Sequence, residues 1–137
     1  IGKGQVLYRP QGIAHVAVIV TGALVANALR VARDLEEKKN IKVLVVNIHT
    51  IKPLDEDLVI QVARETKAVV TVEEHQIAGG LGGAVAECLA QHLPTAIEFV
   101  GVRDLFGQSG TPKELIEHYG MGQDGITSAI LKVIERK

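Results

Sequence analysis

Four short apolar segments constrain the fold of this chain more than any other feature of its sequence. Each is rich in Val and Ile and nearly free of polar residues, and they span residues 16–20, 41–47, 68–72 and 97–102. Segments of this kind are typical of parallel strands that are buried on both faces of a sheet. Helical patterns separate them, and strand–helix–strand alternation requires right-handed crossovers. The sequence therefore predicts a three-layer α/β/α domain built on an open sheet.

A fifth strand is predicted at residues 5–9, before the four apolar segments. This segment is half polar and is followed by Pro10 and Gly12, which suits an edge strand that ends in a turn. We expect five strands, mostly parallel, with this first edge strand antiparallel, in a single domain that covers residues 1–137. The opening residues 1–4 contain two glycines and no initiator Met, so they are interpreted as a linker remnant from a missing upstream domain.

The helices are predicted from apolar faces and capping signals. They are expected after residue 22, after Asp55, across residues 80–92, after a capping box at residues 111–114, and from residue 123 or 124. Cys88 lies on the apolar face of the third helix, which predicts a buried, unreactive thiol and not a nucleophile.

Charge and cysteine content narrow the range of functions. The formal net charge is −1, so the chain has no general attraction for nucleic acid or for anionic membranes, and we expect neither as a partner. The single cysteine cannot form an internal disulfide, which favours a reducing, cytoplasmic setting.

The most unusual stretch follows the strand at residues 68–72. Three polar residues, Glu73, Glu74 and His75, precede a run that contains Gly79, Gly80, Gly82 and Gly83 at the start of the third helix. A helix N-terminus can hold an anion, but the spacing matches neither the phosphate loop nor the dinucleotide fingerprint. Close packing at a domain or subunit contact is the preferred interpretation, and phosphate or nucleotide binding is the alternative.

The same polar residues, together with His49, could in principle act as acid–base groups or metal ligands. Consecutive side chains on a strand alternate in direction, so three neighbours cannot converge on one point. No spaced ligand motif is present, and Ser109 has no recognisable triad partners. We therefore predict no catalytic, cofactor-binding or metal site within this chain.

Several loops resemble those of one domain family. The sequences VTG at residues 20–22, IKPLD at 51–55 and VTVEEH at 70–75, leading into GGLG at 79–82, resemble the C-terminal domain of transketolases, deoxyxylulose-phosphate synthases and 2-oxoacid dehydrogenase β subunits. Residues 103–110, RDLFGQSG, and the helix that ends at Tyr119 and Gly120 are similar to the transketolase branch.

The resemblance implies a part in an enzyme that moves a two-carbon ketol unit between sugar phosphates. In that family, thiamine diphosphate and a divalent Mg or Ca ion are held by other domains at a homodimer interface, and none of those motif residues has a counterpart here. The implied role is structural support of the dimer, with the remaining transketolase domains or a separate subunit as partners. Seven residues are candidates for the interface: Glu73, Glu74, His75, Gly79, Gly80, Arg103 and Phe106.

Two other functions remain open. The C-terminal domain of a 2-oxoacid dehydrogenase β subunit would dock an acyltransferase core. A small-ligand regulatory domain would use the glycine-rich loop to hold a nucleotide or phosphate.

Overall fold

A computed structural model describes residues 2–77, 79–102 and 122–137, without the side chains of residues 75, 76 and 102. The strands are β1 Gln5–Tyr8, β2 Val16–Val20, β3 Val43–Asn47, β4 Ala68–Gln76 and β5 Ala96–Val102. The helices are α1 Val25–Lys39, preceded by a 3₁₀ turn at Gly22–Leu24, then α2 Glu56–Thr66, α3 Leu81–His92 and α4 Gln123–Arg136. Within these residues, no helix is both long enough and apolar enough to cross a membrane.

The strands form one sheet in the order β1-β3-β2-β4-β5. The edge strand β1 pairs antiparallel with β3, and all the other pairs are parallel. In the centre of the sheet, Val18 pairs with Val45 on one side and with Val70 on the other. The predicted mixed sheet with an antiparallel first strand is confirmed.

Both faces of the sheet are covered by helices, so the domain has three layers. Val16, Val18 and Val20 belong to an apolar cluster with the inner faces of α1 and α4. Ala17 and Ile19 point the other way, into a second cluster with α2 and α3. The alternation along one central strand explains why β2 must be apolar at every position.

The structure extends one predicted strand. We predicted that the third apolar strand ends at residue 72, but β4 continues to Gln76, which pairs with Val102 of β5 after a shift in register. Glu73, Glu74 and His75 are therefore strand residues and not loop residues. The start of α4 agrees with the prediction. The helix predicted after residues 111–114 lies outside the described residues.

The chain leaves β2 and β4 in opposite directions along the sheet. Helix α1 carries it from β2 to β3 on one side, and α3 carries it from β4 to β5 on the other. The adjacent carboxyl ends of β2 and β4 therefore form a topological switch point, the place where open parallel sheets most often bind ligands.

Candidate functional site

Two consecutive carboxylates lie at the switch point, on the last part of β4. Because side chains alternate along a strand, Glu73 and Glu74 point to opposite faces of the sheet. Glu73 is only 1% exposed, whereas Glu74 is exposed to solvent. The expectation that neighbouring residues here cannot converge on one point is confirmed for this pair.

Glu73 caps helix α3. Its Oε1 accepts a hydrogen bond from the Leu81 N–H at 2.7 Å, and its Oε2 accepts one from the Gly82 N–H at 2.6 Å. The N-cap residue of α3, Gly80, has no side chain to do this. Burial of a carboxylate is unfavourable unless it is paired, and two backbone donors at the positive end of a helix supply that pairing. The anion position at this helix N-terminus is therefore filled from within the chain.

Gly82 makes this arrangement possible. A Cβ at that position would lie 2.9 Å from Ile77 Cγ2, 2.9 Å from Phe99 Cδ1 and 3.0 Å from Glu73 Oε2. Real Cβ atoms do not approach other atoms so closely without a shift of the surroundings. Helix α3 therefore packs closely on side chains of its own domain at Gly82, whereas the predicted domain or subunit contact of the glycine run stays a prediction.

Glu74 also accepts a hydrogen bond from a backbone N–H, on the opposite face of the sheet. Its Oε1 accepts a hydrogen bond from the Ala23 N–H at 3.0 Å, in the 3₁₀ turn that precedes α1. That turn also has no side-chain cap of its own. Carboxylates from the end of β4 thus accept from one backbone N–H after β2, that of Ala23, and from two at the start of α3.

Among the residues considered for metal binding, those whose side chains the structure describes do not assemble into a site. Glu73 and Glu74 diverge, and the His49 Nε2 lies 3.0 Å from the amide nitrogen of the buried Asn47, its hydrogen-bond partner. Among the side chains that the structure describes, no group of three or more His, Cys, Asp or Glu residues could hold a metal ion. Ser109 and the side chain of His75 lie outside the described residues.

Cys88 is buried on α3, as predicted. Burial, followed by the nearby charge and hydrogen bond of Glu56, raises the pKa of the thiol to about 11. Because the thiolate is the reactive form of cysteine, this thiol is unreactive at neutral pH. Cys88 also lines a cleft of about 480 Å³ between residues 51–54 and α3.

Asp55 has one predicted role and one that the sequence did not indicate. Its Oδ1 accepts from the Leu58 N–H at 3.3 Å, which confirms the predicted N-cap of α2. Its Oδ2 accepts from the Gly4 N–H at 2.8 Å. The two bonded residues Gly4 and Asp55 are 51 positions apart, so no local pattern could have revealed this contact.

The structure separates the predicted interface residues into three groups. Glu73 and Gly80 are buried within the domain. Glu74 and Gly79 are exposed at the carboxyl end of the sheet. The side chain of His75, and all of Arg103 and Phe106, lie outside the described residues. The interface role of this set stays a prediction.

Comparisons with known proteins agree with this architecture. The family model for the transketolase C-terminal domain matches residues 4–126. A 6-deoxy-6-sulfo-D-fructose transketolase subunit from Clostridium sp. (strain MSTE9) is 43% identical over 137 residues, which is 100% of this chain and 41% of that protein. The 1-deoxy-D-xylulose-5-phosphate synthase of Heliobacterium modesticaldum is 41% identical over 122 residues, 88% of this chain and 18% of the enzyme.

A solved structure is similar in both sequence and fold. It is a split-gene transketolase, described as an inactive beta4 tetramer, and it aligns with a TM-score of 0.89 at 40% identity. The alignment covers 98% of this chain and 43% of that one. The chain thus spans less than half the length of these similar proteins. With a fold and a family model that agree over nearly its whole length, the chain belongs to the transketolase C-terminal domain family.

Proposed function

We propose that this chain is the non-catalytic C-terminal domain of a transketolase that transfers a two-carbon ketol unit between sugar phosphates. The observation that carries the proposal is the Glu73 carboxylate, which occupies the N-terminus of α3 through Leu81 and Gly82. In this domain, the position where the fold usually binds a ligand is occupied by a side chain that packs helix α3 onto the sheet. Binding and chemistry then belong to other domains of the enzyme.

The described residues do not fit the cofactor of the family. A diphosphate at the start of α3 would compete with a buried carboxylate that already accepts both N–H groups, and two like charges there would repel each other. The metal ion that accompanies a diphosphate needs oxygen ligands, and the described carboxylates do not cluster. Thiamine diphosphate and its Mg or Ca ion are accordingly assigned to the other domains, and we derive no catalytic step in this one.

The role left to the domain is to support assembly. Glu74 and Gly79 lie exposed at the carboxyl end of the sheet, where loops from different strands form one surface. We assign this surface to contact with the remaining transketolase domains, in an enzyme whose working form is a homodimer. The tetrameric state described for the similar split-gene transketolase supports such association, and so does the description of the Clostridium relative as a subunit.

A second candidate is the C-terminal domain of a 1-deoxy-D-xylulose-5-phosphate synthase. Relatives with that name are 36% to 41% identical to this chain. The two candidates share the domain role and differ in the reaction of the whole enzyme. Assaying the enzyme that carries this domain for ketol transfer and for 1-deoxy-D-xylulose 5-phosphate formation separates them.

The proposal is tested by removing the domain from the enzyme that carries it. Without residues 1–137, we expect loss of the assembled state in size-exclusion chromatography, together with loss of ketol transfer. Calorimetric titration of residues 1–137 alone with thiamine diphosphate and Mg²⁺ should give no binding heat. An enzyme that keeps its assembly and full activity without the domain, or a saturable titration of the domain alone, contradicts the proposal.

A further inference from the structure

The N-terminal residues of the domain lie at the carboxyl end of the parallel strands, which is also where the candidate site lies. Because β1 runs antiparallel to β3, Gln5 pairs with Asn47 at the carboxyl end of β3. The residues before Gln5 therefore lie against the loop between β3 and α2. Any polypeptide that precedes this domain therefore joins it at the end of the sheet where the glycine-rich loop and the end of β4 lie.

The fit of these residues is close. The Gly4 N–H donates to Asp55 Oδ2 at 2.8 Å. A Cβ on Gly4 would lie 2.6 Å from Leu58 Cδ2 and 3.3 Å from the carbonyl oxygen of Asn47, so only glycine fits here without displacing its neighbours. A Cβ on Gly2 would lie 3.5 Å from Pro53 Cγ. We call the contact between Gly4 and Asp55 the entry clasp.

Pro53 connects the entry clasp to the cleft. It is one of the residues that form the wall at positions 51–54, and α3 forms the opposite wall with Gly83, Ala84 and Glu87. The small residues on α3 leave room for a backbone to approach. Gly2 lies beside Pro53, which lines this cleft of about 480 Å³. Because an extended chain advances about 3.3–3.6 Å per residue, a few residues before Gly2 suffice to reach into the cleft.

We propose that Asp55 is a positioning residue that directs the polypeptide preceding residue 2 into the cleft between residues 51–54 and α3. The inference rests on the proposed function, in which this domain follows other transketolase domains in a longer chain. The similar proteins extend well beyond the matched part, since this chain covers only 41% and 43% of their lengths. The occupant of the cleft is that preceding segment of the same polypeptide.

The Asp55→Asn variant separates the entry clasp from the helix cap. Asparagine is as good an N-cap as aspartate, so one side-chain oxygen still serves Leu58. Its amide nitrogen cannot accept the Gly4 N–H, so the clasp opens. Asp57→Asn is the matched control, because Asp57 is exposed in the first turn of the same helix and loses the same charge.

Trypsin reports on the clasp directly, since the exposed Lys3 directly precedes Gly4. Cleavage after Lys3 in the intact enzyme should be about tenfold faster in Asp55→Asn than in the parent, because proteolysis follows the population of the open form. Asp57→Asn should be cleaved at the parent rate. Equal cleavage rates in all three proteins show that the entry clasp does not hold these residues, and they overturn the proposal.

A photo-crosslinker placed at Glu87 identifies the occupant of the cleft. Glu87 is exposed and lines the cleft, and Ser128, exposed on α4 across the sheet, is the control position. In enzyme assembled from isotopically light and heavy chains, position 87 should crosslink to residues preceding the domain in the same chain, and Asp55→Asn should reduce this yield several-fold. Crosslinks between chains, or none at position 87, overturn the proposal.

Neither readout depends on catalysis. If deletion of residues 1–137 shows that the enzyme needs the domain while position 87 finds no preceding segment, the docking inference fails and the proposed function stands. If deletion has no effect on assembly or activity, the proposed function fails whatever the crosslinks show.

Discussion

Replacement of Glu73 by Gln tests the central feature of the site. In the parent, one buried carboxylate accepts the N–H groups of Leu81 and Gly82 at 2.7 and 2.6 Å. Glutamine keeps one acceptor oxygen but turns an NH₂ group toward the second N–H. The variant thus loses a charge-assisted bond and leaves a backbone donor without an acceptor in a buried position.

The magnitude follows from these losses. A hydrogen bond to a charged group contributes about 1.5–3 kcal/mol, and an anion at a helix N-terminus contributes about 0.3–2 kcal/mol more. Neutralising the buried charge recovers part of its desolvation cost, which lowers the total. We expect a net loss of about 2–4 kcal/mol, a large share of the roughly 5–15 kcal/mol that stabilises a typical domain.

Urea unfolding followed by circular dichroism measures this change. With a slope of about 2 kcal/mol/M, in the middle of the usual range for small proteins, the midpoint of the Glu73→Gln variant should fall by roughly 1–2 M. Glu74→Gln is the matched control, because the neighbouring side chain is exposed and makes one bond of 3.0 Å to Ala23. It should lose less than about 1 kcal/mol. A Glu73→Gln variant within about 0.5 kcal/mol of the parent, or a control that is equally destabilised, refutes the reasoning.

Three further predictions concern packing and pH. Gly82→Ala should lower the free energy of unfolding by about 1–3 kcal/mol in the same urea assay, because the new Cβ would lie 2.9 Å from two side chains. The better helix propensity of alanine offsets only part of this loss. Unchanged stability contradicts the prediction. Because the folded-state pKa of Cys88 is raised to about 11, its contribution to stability is complete below pH 9 and declines as the pH rises through 11. The Cys88→Ala variant should lack that part of the alkaline slope in unfolding measured from pH 8 to 11. The hydrogen bond from Arg9 lowers the pKa of Glu65, so this pair stabilises the fold above pH 4.5 and contributes less as the pH falls. Because the two side chains are 47% and 36% exposed, solvent screens the pair, and Arg9→Gln should cost at most about 1 kcal/mol at pH 7 and still less at pH 3.

Local sequence patterns correctly predicted the elements that are buried along their whole length or capped by a nearby residue. Residues 16–20 are apolar throughout because both faces of β2 are covered, so the sequence alone located this strand. The cap of α2 was also predictable, since Asp55 and the Leu58 N–H are three residues apart. In these cases the interaction that stabilises the element lies within a few residues of it.

The end of β4 could not be located in the same way. Glu73 and Glu74 look like loop residues because charged side chains are rare in buried strands. They belong to the strand because backbone donors at residues 81–82 and 23 accommodate them, and these lie 8 to 51 positions away. Polarity therefore predicted a loop where tertiary contacts produce a strand. The entry clasp was missed for the same reason.

Under the proposed function, the carboxylates at the switch point explain how a fold associated with ligand binding could serve as a structural domain. Open parallel sheets leave helix N-termini unsatisfied where the chain turns to opposite sides, and a bound anion commonly completes them. Here the end of β4 supplies both carboxylates, and because they are attached to the chain, a free anion would have to displace a tethered competitor. The three hydrogen bonds that these two carboxylates accept connect the end of β4 to a helical layer on each face of the sheet. Under the proposed function, backbone donors that are already paired in this way need no rearrangement when another domain docks at this end of the sheet, so less free energy is lost to the ordering of loops.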